Sequence, residues 1–117
     1  MTGKEIKDYL EYSYDMWINT IDSAGGLIYK VDVTKPKGDR VCIGSLADGT
    51  AFDESASYNV AMTSYRASGG GNIMREGAGV DPATIGDRTV IGEWSFVPED
   101  LASKAMDRDM KLMFPGL

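Results

Sequence analysis

One stretch of this chain concentrates residue types that could hold a ligand. Between Asn59 and Gly79 the sequence reads NVAMTSYRASGGGNIMREGAG, so Tyr65 and Arg66 stand just before Gly69, Gly70 and Gly71, with Gly77 and Gly79 beyond. A tyrosine ring offers a flat face. A guanidinium is a rigid fork of donors that suits a carboxylate or a phosphate. Successive glycines let main-chain N–H groups converge on an anion and let a ligand approach the backbone closely. Together these groups suit a ligand that is flat at one end and charged at the other, as a nucleotide is.

The stretch matches no phosphate-loop pattern. It is not GxxxxGK[ST], and it is not GxGxxG, because Gly69-x-Gly71 is followed by Asn72, Ile73 and Met74. GxSxG is absent too. Physics alone therefore leaves a second reading open, in which the glycines form a conformationally demanding loop. In that reading Tyr65 is a core aromatic and Arg66 a solvated or ion-paired side chain.

Composition narrows the chemistry further. The 117 residues suit one domain, 1–117, and 43% hydrophobic residues can form a core. There is no histidine, which excludes Ser-His-Asp and Cys-His catalysis and an imidazole-bound zinc within the chain. No Asp/Glu cluster has metal-ligand spacing, so no cofactor is expected in this chain. Cys42 is the single cysteine and has no partner for a disulfide or a catalytic dyad. The net charge of −6 argues against nucleic acid as a partner, since that binding rests on many Lys and Arg contacts to phosphates. No apolar run approaches the length of a membrane span, and the start carries no signal-peptide pattern.

The elements that must position these residues follow from periodicity and caps. Thr2-Gly-Lys-Glu5 fits a capping box. Ile6, Leu10, Tyr14, Trp17 and Ile21 then form an apolar stripe, predicting a helix to about Thr20. A start directly on a helix cap has the look of a cut domain. Leu27 to Val33 alternates as a strand, Thr34 to Asp39 turns, and Arg40 to Leu46 is a second strand closed by Asp48-Gly49. Tyr58 to Arg66 reads as a third strand, and Thr89 to Phe96 as a short fourth. The intervening chain to about Asp87 is loop-like, with Asp81-Pro82 a turn or helix start. Pro98 begins a last helix with Ala102, Ala105, Met106, Met110 and Met113 on its apolar face, stopped by Pro115-Gly116. The expected fold class is α+β: an antiparallel sheet of three to four strands with an N-terminal and a C-terminal helix packed on it.

At this point a family becomes visible. Tyr58-Asn-Val-Ala-Met-Thr-Ser-Tyr-Arg-Ala-Ser-Gly-Gly-Gly71 with Gly77-Ala-Gly79 resembles the carboxy-terminal domain of the 5′-nucleotidases. Its SYR-x-x-GGG form is most similar to the 2′,3′-cyclic-nucleotide 2′-phosphodiesterase branch. Thr2 to Leu10, Tyr29-Lys-Val-Asp-Val, Gly38-Asp-Arg-Val41 and Asp48-Gly49 resemble the same domain's helix and strands, in order, to about Val80. The resemblance implies a parent metal-dependent phosphoric ester hydrolase of nucleotide catabolism. Its separate metallophosphatase domain would carry two divalent metal ions and the chemistry, and this chain would be the carboxy-terminal, substrate-binding part. Nucleotide or nucleoside is the implied ligand, with Tyr65, Arg66, Gly69, Gly70 and Gly71 as substrate-binding residues and none catalytic. Tyr65 takes the place of the second of two aromatics that sandwich the base. The first aromatic and the phosphate arginines lie upstream in the family. An acid found in many members falls on Gly71. The connections near Thr20 and between Gly86 and Gly92 are shorter than in the family, by trimmed loops or by the joining of pieces across missing ones. A periplasmic or cell-surface location is implied by the resemblance. The alternative is a structural or interaction domain that has lost the pocket.

Overall fold

The computed structural model describes residues 1–17 and 21–85, together with Leu101, Lys104, Ala105, Asp107, Arg108 and Leu112. Two compact units result, Met1–Asp87 and Arg88–Leu117. In the second, those six residues are helical, where the sequence predicts its last helix. The strand expected over Thr89 to Phe96 lies outside the described residues.

Helix α1 spans Gly3–Asp15 and opens on the expected capping box. The Glu5 amide donates to the Thr2 hydroxyl at 3.2 Å, and the Thr2 amide donates to the Glu5 carboxylate at 2.8 Å. Its other free donors are met from the 53–57 loop: Gly3 N–H donates to Ala56 O (2.9 Å) and Lys4 N–H to Glu54 O (2.8 Å). That contact requires glycine, because a Cβ at position 3 would lie 2.2 Å from the Asp53 carbonyl oxygen. Thr2 also pairs antiparallel with Ser57.

The helix stops at Asp15, earlier than its apolar stripe predicts, and residues 18–20 lie outside the described residues. Trp17 and Ile21, expected on that stripe, are 62% and 52% exposed. The face α1 buries is largely polar, comprising Leu10, Glu11 and Ser13 beside Gly3. Polar side chains with tertiary partners took the place that apolar spacing had assigned to Trp17 and Ile21.

Strands β1 (Leu27–Val31) and β2 (Val41–Leu46) pair antiparallel, from Leu27 opposite Leu46 to Val31 opposite Val41. Ile28 faces Ser45 while Tyr29 faces Ile43, so Gly44 is the extra residue of a bulge. Among the described residues the sheet has two strands, not three to four. The expected third strand, Tyr58 to Arg66, does not form. Residues 58–63 run without turn or bend but join no ladder, and Ser64–Ala67 is a short helix, α2. Its cause is local: the Thr63 hydroxyl accepts the Arg66 amide at 3.3 Å and caps the helix before the strand can continue.

The segment expected as loop is a series of tight turns. Gly70–Asn72 leads into a wide turn over Ile73–Gly77, closed by Ala78 N–H donating to Ile73 O at 2.9 Å. Asp81-Pro82 does begin a short helical turn, Pro82–Thr84. Ile73 and Met74 are each 1% exposed, and Leu10, Val41, Ala78 and Pro82 are also buried. Tyr14 and Tyr29 share a 2.9 Å hydroxyl contact across α1 and β1. Burial, then that hydrogen bond, pushes the Tyr14 phenol up to about 12.

Glu11 ties α1 to β2. Its carboxylate, on a residue 5% exposed, accepts the Arg40 amide at 3.0 Å and the Val41 amide at 2.7 Å. A glutamine there keeps one acceptor oxygen and turns an NH2 toward the other amide. Glu11→Gln is therefore expected to destabilise the protein by about 1–3 kcal/mol, the cost of an unsatisfied buried donor. A lowered urea midpoint at unchanged slope would show it; an unchanged midpoint would refute it.

Candidate functional site

A cavity of about 920 Å3 opens within the first unit, between α1, residues 21–27, the end of β2 and residues 58–66. Its apolar walls include Ile6, Leu10, Leu27, Leu46, Phe52 and Met62. Phe52 and Tyr58 stack with ring centroids 5.4 Å apart and planes 9° apart. Tyr9, Asp22 and Arg66 supply a polar cluster, and Tyr65 lines the cavity beside them. This is the size and character of a small-molecule site.

The polar cluster turns on Asp22. Its carboxylate accepts Arg66 Nε at 2.8 Å and Arg66 Nη2 at 3.0 Å, a bidentate pair, and also the Tyr9 hydroxyl. Ser13 fixes the Asp22 backbone, its Oγ accepting the Asp22 amide at 2.6 Å. The remaining Arg66 nitrogen, Nη1, donates to Gly70 O at 3.2 Å. Every nitrogen of Arg66 is thus engaged within the chain, and the side chain works here as a clamp between α2, the glycine turn and residue 22. Burial works to raise the Asp22 carboxyl, but hydrogen bonds from Arg66 and Tyr9 and the nearby positive charge outweigh it and hold the pKa below its ordinary value. Burial and the bond to Asp22 push the Tyr9 phenol up.

Tyr65 lies in α2, not on a strand, and is 65% exposed. Its ring rests against Gly70, where an added Cβ would lie 2.5 Å from three ring atoms. The Arg66 guanidinium carbon stands over the same ring, 5.4 Å from its centroid. Gly70 therefore works as a flat backing for an exposed aromatic. Gly71 has φ +72°, and a Cβ there would lie 2.3 Å from Arg66 Nη1. The acid that the family resemblance assigns to this position has no room while the clamp is closed. Gly69, Gly70 and Gly71 do not line the cavity, so the five expected residues divide: Tyr65 and Arg66 face it, and the glycines sit behind them.

Sequence reasoning missed Asp22, Tyr9 and Ser13. Their spacing carries no motif, and the Asp22–Arg66 pair spans 44 residues. Among the described residues no three His, Cys, Asp or Glu side chains converge as a metal site. No described helix is long and apolar enough to cross a membrane.

Residues 1–76 match the protein family described as 5′-nucleotidase, C-terminal domain. No curated protein and no solved structure matches the chain.

The lowered pKa of Asp22 gives the clamp a pH signature. A depressed carboxyl contributes stability above its unfolded pKa, about 3.9, and loses it as pH falls through the lower folded value. The carboxyl carbon of Asp22 is therefore expected to titrate below the ordinary aspartate range, with the Arg66 Nε–H signal shifting in the same acid step. Asp22→Asn should remove that step. A midpoint at or above the ordinary value would show that the pair does not form in solution.

Proposed function

The chain belongs to the 5′-nucleotidase C-terminal domain family, and we propose that it is a nucleoside- or nucleotide-recognition domain that is not catalytic alone. The observation that carries this reading is the Tyr65 ring: 65% exposed, backed by Gly70 and set at the edge of a cavity of about 920 Å3. A base needs a rigid, accessible π face, and an aromatic held from behind loses little freedom when a base stacks on it. The alternative of a purely structural domain requires a buried Tyr65, and the exposure of the ring speaks against it.

In this proposal Tyr65 stacks on the base, and Gly70 supports the ring from behind. Arg66 acts through Asp22, holding Gly70 and the ring in place, and leaves the phosphate to groups elsewhere in the parent protein. Hydrolysis is assigned to a separate metallophosphatase domain with two divalent ions. The SYR-x-x-GGG form favours the cyclic-nucleotide phosphodiesterase branch, and export to the periplasm or cell surface would follow from that parentage.

Stacking on one aromatic contributes about 1–3 kcal/mol, so adenosine should bind weakly, with Kd roughly millimolar. A titration followed by NMR is expected to shift Tyr65 and Gly70 together. Tyr65→Ala should abolish the shifts while leaving the fold intact. Gly70→Ala should displace the ring, which has room to move, and weaken binding more than stability. Absence of shifts at Tyr65 and Gly70 at saturating adenosine would sink the proposal.

A further inference from the structure

Three hydroxyls hold residues 22–24 in place. The Ser13 Oγ accepts the Asp22 amide at 2.6 Å and donates to the Asp22 carbonyl at 3.3 Å, so one side chain grips both main-chain groups of one residue. Ser13 is 0% exposed. Two residues on, the Tyr29 hydroxyl accepts the Ala24 amide at 3.1 Å and meets the Tyr14 hydroxyl at 2.9 Å. The third hydroxyl is that of Tyr9, which donates to the Asp22 carboxylate. Tyr9 lines the cavity; Ser13 and Tyr29 do not. The carboxylate that these residues aim makes its bidentate pair with Arg66 at 2.8 and 3.0 Å. Such a pair needs both oxygens facing the guanidinium fork, so it is sensitive to the backbone from which the carboxylate projects. Beyond it, Arg66 Nη1 reaches Gly70 O at 3.2 Å, and Gly70 lies against the Tyr65 ring.

We propose that Ser13 and Tyr29 are positioning residues of the candidate site: they touch no ligand, but through Asp22 and Arg66 they set the pose of the Tyr65 ring. With the main chain fixed at 22 and 24, only the side-chain torsions of Asp22 are left to settle, and Tyr9 and Arg66 settle them. Removing either hydroxyl frees the segment. The bidentate geometry is then held for less of the time, and Gly70 and the ring loosen with it. A base that stacks on a loosened ring must order it first, and affinity falls. The effect on affinity rests on the reading of Tyr65 as the base platform; the pose of the ring does not. A hydroxyl that served stability alone would act as Glu11 does, which lies on the same helix but leads to the main chain of Arg40 and Val41.

The test uses the full chain and reads the pose of the ring by NMR, first without ligand. The Gly70 Hα that stands where a Cβ would stand points at the Tyr65 ring, so the ring current should shift its signal upfield. Ser13→Ala and Tyr29→Phe should each lose much of that shift, and each should raise the Kd for adenosine by about threefold or more. Tyr29→Phe keeps the aromatic ring and decides the matter where Ser13→Ala fails to fold. Glu11→Gln, which loses a buried bond of the same helix, should change neither reading. In an Asp22→Asn background Tyr29→Phe should add no further loss, because the route it acts through is already broken. An unchanged Gly70 signal in Tyr29→Phe, an equal loss in Glu11→Gln, or a full further loss in the Asp22→Asn background would each overturn the proposal. A wild-type protein that ignores adenosine, with a Gly70 signal that still responds to Tyr29→Phe, would sink the nucleoside reading and uphold the positioning role.

Discussion

The carboxylate of Asp22 holds the candidate site together. Tyr9 from α1 and Arg66 from α2 both donate to it, while Ser13 of α1 accepts the Asp22 main-chain amide. Arg66 hands the constraint on to Gly70, and Gly70 carries the ring of Tyr65. A partly buried ion pair contributes little net stability once desolvation is counted, but breaking one partner is costly. Its value here is geometric. It fixes a single arrangement of a turn that, with glycines at 69, 70 and 71, would otherwise have many. The chain of contacts runs from a helix through one carboxylate and one guanidinium to an aromatic face.

The rest of the first unit follows the same logic. Its fully buried apolar set is small, and α1 makes its tertiary contacts largely through polar atoms. Glu11 holds the start of β2, Ser13 holds Asp22, and the Tyr12 hydroxyl donates to Glu76 at 3.0 Å. Such bonds are directional, so they specify where elements sit better than a slippery apolar contact would. What apolar surface the unit does have is divided. Part is packed around Ile73 and Met74, and part lines the open cavity.

Where local chemistry decided the outcome, the sequence was legible. The Thr2–Glu5 box starts α1 as its spacing predicts, both strands of the hairpin stand where alternation placed them, and Asp81-Pro82 begins its turn. Alternation misled at 58–66, because a strand needs a neighbour as well as a pattern. Without one, the capping hydroxyl of Thr63 decided the local structure. The apolar stripe misled at Trp17 and Ile21, because α1 buries polar atoms whose partners lie far away in sequence. Tyr65 and Arg66 could be picked out by type and neighbourhood. Their division of labour could not, since Asp22 is 44 residues from Arg66 and nothing in its own surroundings marks it.

The misleading strand and the candidate site are two sides of one geometry. From Tyr58 to Met62 the chain runs without turn or bend; from Ser64 it coils and turns an aromatic outward. Thr63 is the switch, with φ −66° and ψ 150°, extended in backbone yet capping by side chain. A strand continued through Tyr65 would place the ring on a sheet face, and Arg66 on the opposite one. With the switch at Thr63, both residues meet the glycine turn and Asp22 instead, while the straight segment keeps the opposite wall of the cavity open. The same hydroxyl that defeats the pattern of alternation therefore brings the exposed ring to the edge of the cavity.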